Sequence, residues 1–240
     1  MAFRNSYEDD AYAVAYAKLE FPGTYYLAFR DLPGLFAKHA TGRQALDFGC
    51  GAGRSTRFLR NLGFEAVGAD IAEEMVRRAR TIDPAGDYRL IEHGDLSRFA
   101  DGSFDLVFSA FTFDNIPTRA AKVRLFTEFA RLLKPTGRMV NLISAPEMYY
   151  YEWASFSTKD FPENRQAKCG DEVLIINTAL DDHRPATDIL WPDQDYREVY
   201  DSSGLRVVEV HRPLGRADEP YEWVNETTIA PWVIYVLGRL

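Results

Sequence analysis

The chain has 240 residues, of which 46% are apolar, 14% aromatic and 27% charged, enough for one large domain with a substantial core and outside the range of disordered or fibrous chains. Its 28 Lys and Arg against 36 Asp and Glu give a formal charge of -8, which argues against nucleic-acid phosphate or an anionic membrane as a partner. Arg4, Glu8, Asp9 and Asp10 leave no apolar core for a signal peptide, and Thr227 to Gly238 is too short to span a bilayer. Cys50 and Cys169 form neither a disulfide framework nor a zinc site, so a cytoplasmic, reducing location and no metal are expected.

In chain order, residues 1–40 are rich in tyrosine, including Tyr7, Tyr12, Tyr16, Tyr25 and Tyr26, and read as two helices split by Pro22-Gly23, a lid over the rest of the domain. From Gln44 the pattern alternates short apolar runs with amphipathic stretches, the mark of a parallel α/β architecture. Strands are predicted at 44–48, 64–69, 88–92, 104–109 and 138–144, and helices at 55–62, 72–80 and 119–133, the last stopped at Lys134-Pro135. After the fifth strand the pattern breaks into an aromatic, irregular stretch with Tyr149, Tyr150, Tyr151, Trp153 and Phe156. Next come a strand at 172–179, an apolar run at 188–191 and a helix at 195–202 ended by Gly204. Final strands are predicted at 205–210 and 232–237, joined by a polar loop carrying Pro213 and Pro220.

The most informative segment is Asp47-Phe48-Gly49-Cys50-Gly51-Ala52-Gly53, where a strand runs into alternate glycines and then a helix. Residues without Cβ take positive φ and let backbone approach a ligand above the carboxyl ends of the strands. Asp70 ends the second strand, where a carboxylate accepts hydrogen bonds from ribose hydroxyls. A dinucleotide fingerprint counted from Gly49 needs glycine at position 54, where Arg54 stands.

With an acidic residue, one spacer and Gly-x-Gly-x-Gly, the segment resembles the first motif of the class I S-adenosylmethionine-dependent methyltransferases. Asp70-Ile71, Gly94-Asp95-Leu96, the strand Phe104 to Ser109 and Leu132-Leu133-Lys134-Pro135-Thr136-Gly137 match later motifs of that family in order and spacing, with Thr136 replacing one glycine. The resemblance covers about residues 40–145, and more weakly 195–210. It implies a Rossmann-like, seven-stranded, mostly parallel sheet sandwiched by helices, forming a domain over 41–240 with a substrate-side insert at 145–192. It implies S-adenosylmethionine as cofactor, with Asp47, Gly49, Cys50, Gly51 and Gly53 around its methionine part. Asp70 then binds ribose, Ile71 packs on adenine, Asp95 and Leu96 meet the adenine edge, and Ser109 and Phe111 sit beside the methyl group.

For the acceptor, Tyr16, Tyr25, Tyr149, Tyr150 and Trp153 offer flat apolar surface able to stack on an aromatic molecule or face a cation. Asp114 and Glu147 follow strands four and five at the expected catalytic edge, and His183 is a further candidate base. The expected partner is a small methyl acceptor, aromatic or hydrophobic, modified at O, N or C. No nucleic acid is expected, since Ser109-Ala110-Phe111-Thr112 stands after strand four, where enzymes that methylate nucleic-acid amino groups carry Asn/Asp-Pro-Pro-Tyr. A protein acceptor, a non-catalytic cofactor-binding module and a nicotinamide-dependent oxidoreductase are the alternatives.

Overall fold

The computed structural model describes residues 21–240. Tyr7, Tyr12, Tyr16 and the first of the two helices expected before Pro22-Gly23 lie outside the described residues. After Gly23 come two short helices, α1 (Thr24–Arg30) and α2 (Leu32–His39).

The alternation of apolar runs with amphipathic stretches folds as a doubly wound sheet. In chain order the strands are β1 (Gln44–Phe48), β2 (Glu65–Asp70), β3 (Asp87–Leu90), β4 (Phe104–Ala110) and β5 (Leu133–Ser144), then β6 (Phe156–Ser157), β7 (Glu172–Asn177) and β8 (Ala186–Ile189) of the insert, and finally β9 (Leu205–His211) and β10 (Trp232–Arg239). The main sheet has the order β3-β2-β1-β4-β5-β10-β9. Its first five strands are parallel, whereas β10 is antiparallel to both β5 and β9. The remaining helices are α3 (Arg54–Asn61), α4 (Glu73–Ile82), α5 (Arg119–Leu132) and α6 (Asp193–Ser202). No described helix is long and apolar enough to cross a membrane.

Both faces of the sheet are covered, as near-continuously apolar strands require. Because successive strand residues point to opposite faces, Leu106, Phe108, Val140 and Leu142 join Leu27, Phe29, Leu32 and Phe36 of α1 and α2 in one core. Val107, Met139 and Ile143 face the other way and meet Phe126 and Phe129 of α5 and Tyr196 and Tyr200 of α6. The described part of the N-terminal segment is thus a core layer of the domain as well as a cover.

Two boundaries differ from expectation for identifiable reasons. β5 begins at Leu133, not at 138, because Leu133 pairs with Phe104 and Arg138 with Leu106. Residues 134–137 bulge between those pairs, where Pro135, lacking an N–H, costs no ladder bond. In the insert, β7 stops two residues early because Asn177 accepts the Ala179 N–H at 3.0 Å, closing a side-chain turn. β7 pairs antiparallel with β6 and with β8, so the insert forms its own three-stranded sheet.

The insert is tied to the domain by a buried carboxylate. One oxygen of Glu226 accepts from the Thr24 hydroxyl at 2.8 Å and the Ala154 N–H at 2.7 Å, and the other from the N–H groups of Val224 at 2.8 Å and Asn225 at 3.1 Å. The side chain is fully buried. It therefore joins α1, the insert and the loop before β10 at one point. Glu226→Gln turns an amide NH₂ toward two backbone donors, and the expected loss is about 1–3 kcal/mol of stability. A lowered urea midpoint with an unchanged denaturant slope is the measurement that checks it.

Candidate functional site

The order of the sheet reverses between β1 and β4, and a crevice opens at the carboxyl ends of the strands at that switch point. Two solvent-open cavities of about 660 and 1090 Å³ lie there and share Gly49, Asp70 and Thr112. The smaller is lined by Gly51, Arg54, Ser55, Met75 and Phe111. The larger is lined by Ile71, Ile91, Gly94, Ile116, Pro117 and Leu125, an apolar slot suited to a flat ring.

The glycine loop forms the floor between them. Gly49, Gly51 and Gly53 have φ of 74°, 51° and 84°, a region that costs other residues strain. A Cβ at Gly49 would sit 1.9 Å from the Thr112 hydroxyl oxygen, and one at Gly53 2.7 Å from the Tyr88 ring. Arg54, standing where a dinucleotide fingerprint would have glycine, lies over the Tyr25 ring at 4.9 Å and near Phe21 and Phe29, joining α1 to the loop.

Asp70 accepts the Gly51 N–H at 2.7 Å and the Ala72 N–H at 2.8 Å, so it both shapes the loop and presents a carboxylate at the rim. Burial raises its pKa above the usual carboxylate value, against those two hydrogen bonds. Asp47 is fully buried behind the loop. One of its oxygens accepts from the hydroxyls of Ser55 at 2.7 Å and Thr56 at 2.6 Å, while the other has no hydrogen-bond partner among the described residues. Burial pushes Asp47 up to about 6, opposed by the two hydroxyls. A glycine cradle beside a rim carboxylate and an apolar slot fits a ribose and an adenine, with Asp47 behind the loop bracing it through Ser55 and Thr56.

The sequence-expected cofactor residues do not all reach the cleft. Gly49, Cys50, Gly51, Asp70 and Phe111 line the smaller cavity and Ile71, 53% exposed, the larger. Gly53 caps α3 at the end of the loop. Leu96 is buried in the core under α5, and Ser109 points into the sheet with its hydroxyl unpartnered. Asp95 is exposed and holds the Ser97 N–H and hydroxyl at 2.8 and 3.0 Å.

A third cavity, of about 470 Å³, lies between the insert and the ends of β4 and β5, and Phe111 lines it as well as the glycine-loop cleft. Its walls include the rings of Tyr25, Phe111, Phe156 and Trp232, and its polar lining includes Asp114 and Asp188. Of the described tyrosines and tryptophan expected around an acceptor, only Tyr25 is in this lining. Tyr149 is buried behind it and donates to Asp188 at 3.0 Å. Trp153 is buried with its N–H on the Met148 carbonyl, and Tyr150 lies outside.

Among the candidate bases, Asp114 is in this lining, accepting the Ser144 hydroxyl at 2.9 Å and N–H at 3.1 Å. Glu147 lies outside it, and His183 is exposed in the loop joining β7 to β8. No group of His, Cys, Asp and Glu among the described residues could hold a metal ion. Cys50 is buried and Cys169 exposed, both free.

Of two groups the sequence did not single out, one lines this cavity and the other lies behind it. Asp188 reaches the cavity from β8, and burial raises its pKa, as does the negative charge of Asp114. Lys122, fully buried on α5, donates to the Phe113 carbonyl and lies over the rings of Trp191 at 4.7 Å and Tyr196 at 4.9 Å. Its burial lowers its pKa, against the attraction of Asp114. An amphipathic helix pattern places a lysine on the solvent face, so only the packing of α5 against α6 reveals it.

This sheet order, with one antiparallel strand set between β5 and β9 and a glycine loop after β1, defines a Rossmann-like nucleotide-binding domain. Residues 46–141 match the model of the methyltransferase domain family, and over these residues the chain is similar to the class I S-adenosylmethionine-dependent methyltransferases. S-adenosylmethionine is the methyl donor that this match implies. The chain is 35% identical over 103 residues to a 2-methyl-6-phytyl-1,4-hydroquinone methyltransferase of Synechocystis, covering 41% of this chain and 31% of that protein. It is 34% identical over 100 residues to a ubiquinone biosynthesis O-methyltransferase of Methylococcus capsulatus, covering 40% and 41%. The matches thus span well under half the length of these relatives. Among solved structures, the CcbJ methyltransferase of Streptomyces caelestis shares the fold with a TM-score of 0.65 at 18% identity, covering 92% of this chain and all of that one.

The raised pKa of Asp47 has a measurable sign. Between about pH 4 and 6 the folded state holds a proton that the unfolded chain has lost, so this group makes stability fall as pH rises through that window. The difference in unfolding free energy between the protein and its Asp47→Asn variant is expected to change across that window by up to about 3 kcal/mol. Urea melts of both at pH 4 and pH 7 measure it; a pH-independent difference would place the Asp47 titration in the ordinary carboxylate range.

Proposed function

We propose that the chain transfers the methyl group of S-adenosylmethionine to a small molecule held in the cavity between the insert and the ends of β4 and β5. The observation that carries this reading is that Phe111 lines both that cavity and the glycine-loop cleft, so the two sites are neighbours on either side of one side chain. The relatives named for hydroquinone and ubiquinone-biosynthesis methylation favour the same class of acceptor.

When bound, S-adenosylmethionine supplies an electrophilic methyl group on a sulfonium for in-line displacement. In this reading the glycine loop gives close backbone approach and Asp70 accepts from the ribose hydroxyls. Ile71 and Ile116 cover the adenine faces. Tyr25, Phe111 and Trp232 keep water from the reacting atoms, and Asp114 is placed to take a proton from the acceptor.

Asp70→Ala is expected to weaken S-adenosylmethionine binding by about 1.5–3 kcal/mol, the range for losing charge-assisted hydrogen bonds. Calorimetry reads this directly, and an unchanged affinity removes Asp70 from the ribose. Gly51→Val puts a branched side chain at a φ of 51°, with its Cβ 3.2 Å from the Met75 methyl group, and is expected to abolish binding while leaving the circular dichroism of the sheet intact. Full binding by that variant would reduce the loop to a turn between β1 and α3.

A further inference from the structure

We propose that the methyl acceptor is an amine, held as its ammonium by Asp114 and Asp188 inside the walls of Tyr25, Phe111, Phe156 and Trp232. This rests on the methyl-transfer reading above and names the chemistry of its acceptor.

The lining of the cavity has two carboxylates and, among the described residues, no lysine or arginine. Asp114 comes from the turn after β4 and Asp188 from β8, so two separate elements bring acids to one side of the cavity. Their partners among the described residues are few. Asp114 takes only the Ser144 N–H and hydroxyl, and Asp188 takes only the Tyr149 hydroxyl, on one oxygen. The second oxygen of Asp188 accepts no hydrogen bond from them. Lys122 gives its ammonium hydrogen bonds to the Phe113 carbonyl and the Tyr196 hydroxyl, not to either carboxylate.

Two acids drawn out of water without a cation hydrogen-bonded to them are costly, and the cost falls when a ligand brings the missing positive charge. Burial raises the pKa of both; the charge of Asp114 adds to the rise at Asp188, and the charge of nearby Lys122 acts against it at Asp114. The walls agree with the floor. The rings of Phe111 and Phe156 lie 4.9 and 5.8 Å from Trp232, which stacks on Tyr25 at 5.8 Å; Tyr25 already carries Arg54 over its ring, and aromatic faces attract a cation. An ammonium favours the charged form of the pair and gains both carboxylates as partners, whereas a carboxylate, a phosphate or a neutral hydroxyl brings no positive charge to offset them.

The chemistry balances with no further reactant. An ammonium R–NH₃⁺ gives one proton to a carboxylate of the pair, leaving R–NH₂. The nitrogen lone pair bonds to the methyl carbon, and the carbon–sulfur bond breaks with its electrons staying on sulfur. The positive charge of the sulfonium passes to the product, R–NH₂–CH₃⁺, and the carboxyl group returns its proton to water.

The test is calorimetry on the full chain with a series of arylalkyl amines from benzylamine to tryptamine, each beside the alcohol and the carboxylate of the same skeleton. Binding of S-adenosylhomocysteine is measured separately. At least one amine is expected to bind about tenfold or more tighter than its alcohol, with no detectable binding of its carboxylate. Asp114→Asn and Asp188→Asn are each expected to lower the affinity for that amine about tenfold, leaving the alcohol and S-adenosylhomocysteine unaffected. Methyl-labelled S-adenosylmethionine should then deliver label to the amine nitrogen. The proposal is overturned if alcohols or carboxylates bind as tightly as amines throughout the series, or if neither variant changes amine affinity. Failure to bind S-adenosylhomocysteine would instead overturn the methyl-transfer reading, and the amine preference would still be read from the same titrations.

Discussion

The turn from Phe111 to Asn115 is the constraint on which the site depends. The parallel pairing of β4 with β5 ends with the Phe111 N–H on the Leu142 carbonyl at 2.8 Å, and Phe111 then takes a φ of 63°, the only non-glycine residue described with a positive value. That conformation costs on the order of 1–2 kcal/mol for a side chain of this kind. It reverses the chain so tightly that four consecutive residues serve different ends. Phe111 walls both cavities, Thr112 reaches back to the Phe48 carbonyl at the end of β1, Phe113 gives its carbonyl to buried Lys122, and Asp114 turns into the acceptor cavity. Ser144 at the end of β5 holds Asp114 in place. The strain is offset by these contacts, and loosening any one of them loosens both cavities together.

The donor side is legible in the sequence because its parts are local. A strand, alternate glycines and a helix are contiguous from Asp47 to Ser55, and Asp70 ends the very next strand, so spacing alone identifies them. The strands themselves are legible for the same reason: β1, β4 and β10 are buried almost end to end and show as near-continuous apolar stretches. Ser109 marks the limit. Its position after strand four is right, but the period of two turns it into the sheet while Ala110 and Thr112 reach the cleft.

The acceptor side is not legible, because it is assembled from distant segments whose local pattern carries no signal. Trp232 opens β10, Phe156 is on β6, Asp188 on β8 and Tyr25 on α1, and no spacing rule connects them. The run from Tyr149 to Trp153 is concentrated aromatic surface in the sequence, yet it folds as an irregular turn whose rings point in several directions. Tyr149 supports Asp188 from behind and Trp153 is fixed to Met148. Charge misleads as well. Buried Lys122 and half-buried Asp188 look in the sequence like ordinary members of a solvated face, and only tertiary packing draws them away from water.

The place of β10 in the sheet sets an order of assembly. It follows every other described strand in the chain, yet it lies between β5 and β9, so β9 has no partner in the main sheet until β10 has been made. As the chain leaves the ribosome, β1 to β4 and the glycine loop have all their neighbours in the sheet by the time β5 is made, and domains form from the N-terminal side in this way. The acceptor cavity does not, because Trp232 is one of its walls and anchors its indole N–H on the Thr24 carbonyl at 2.8 Å. A nascent chain halted before Trp232 would hold the parts of a cofactor cleft without the chamber that gives the cofactor a use.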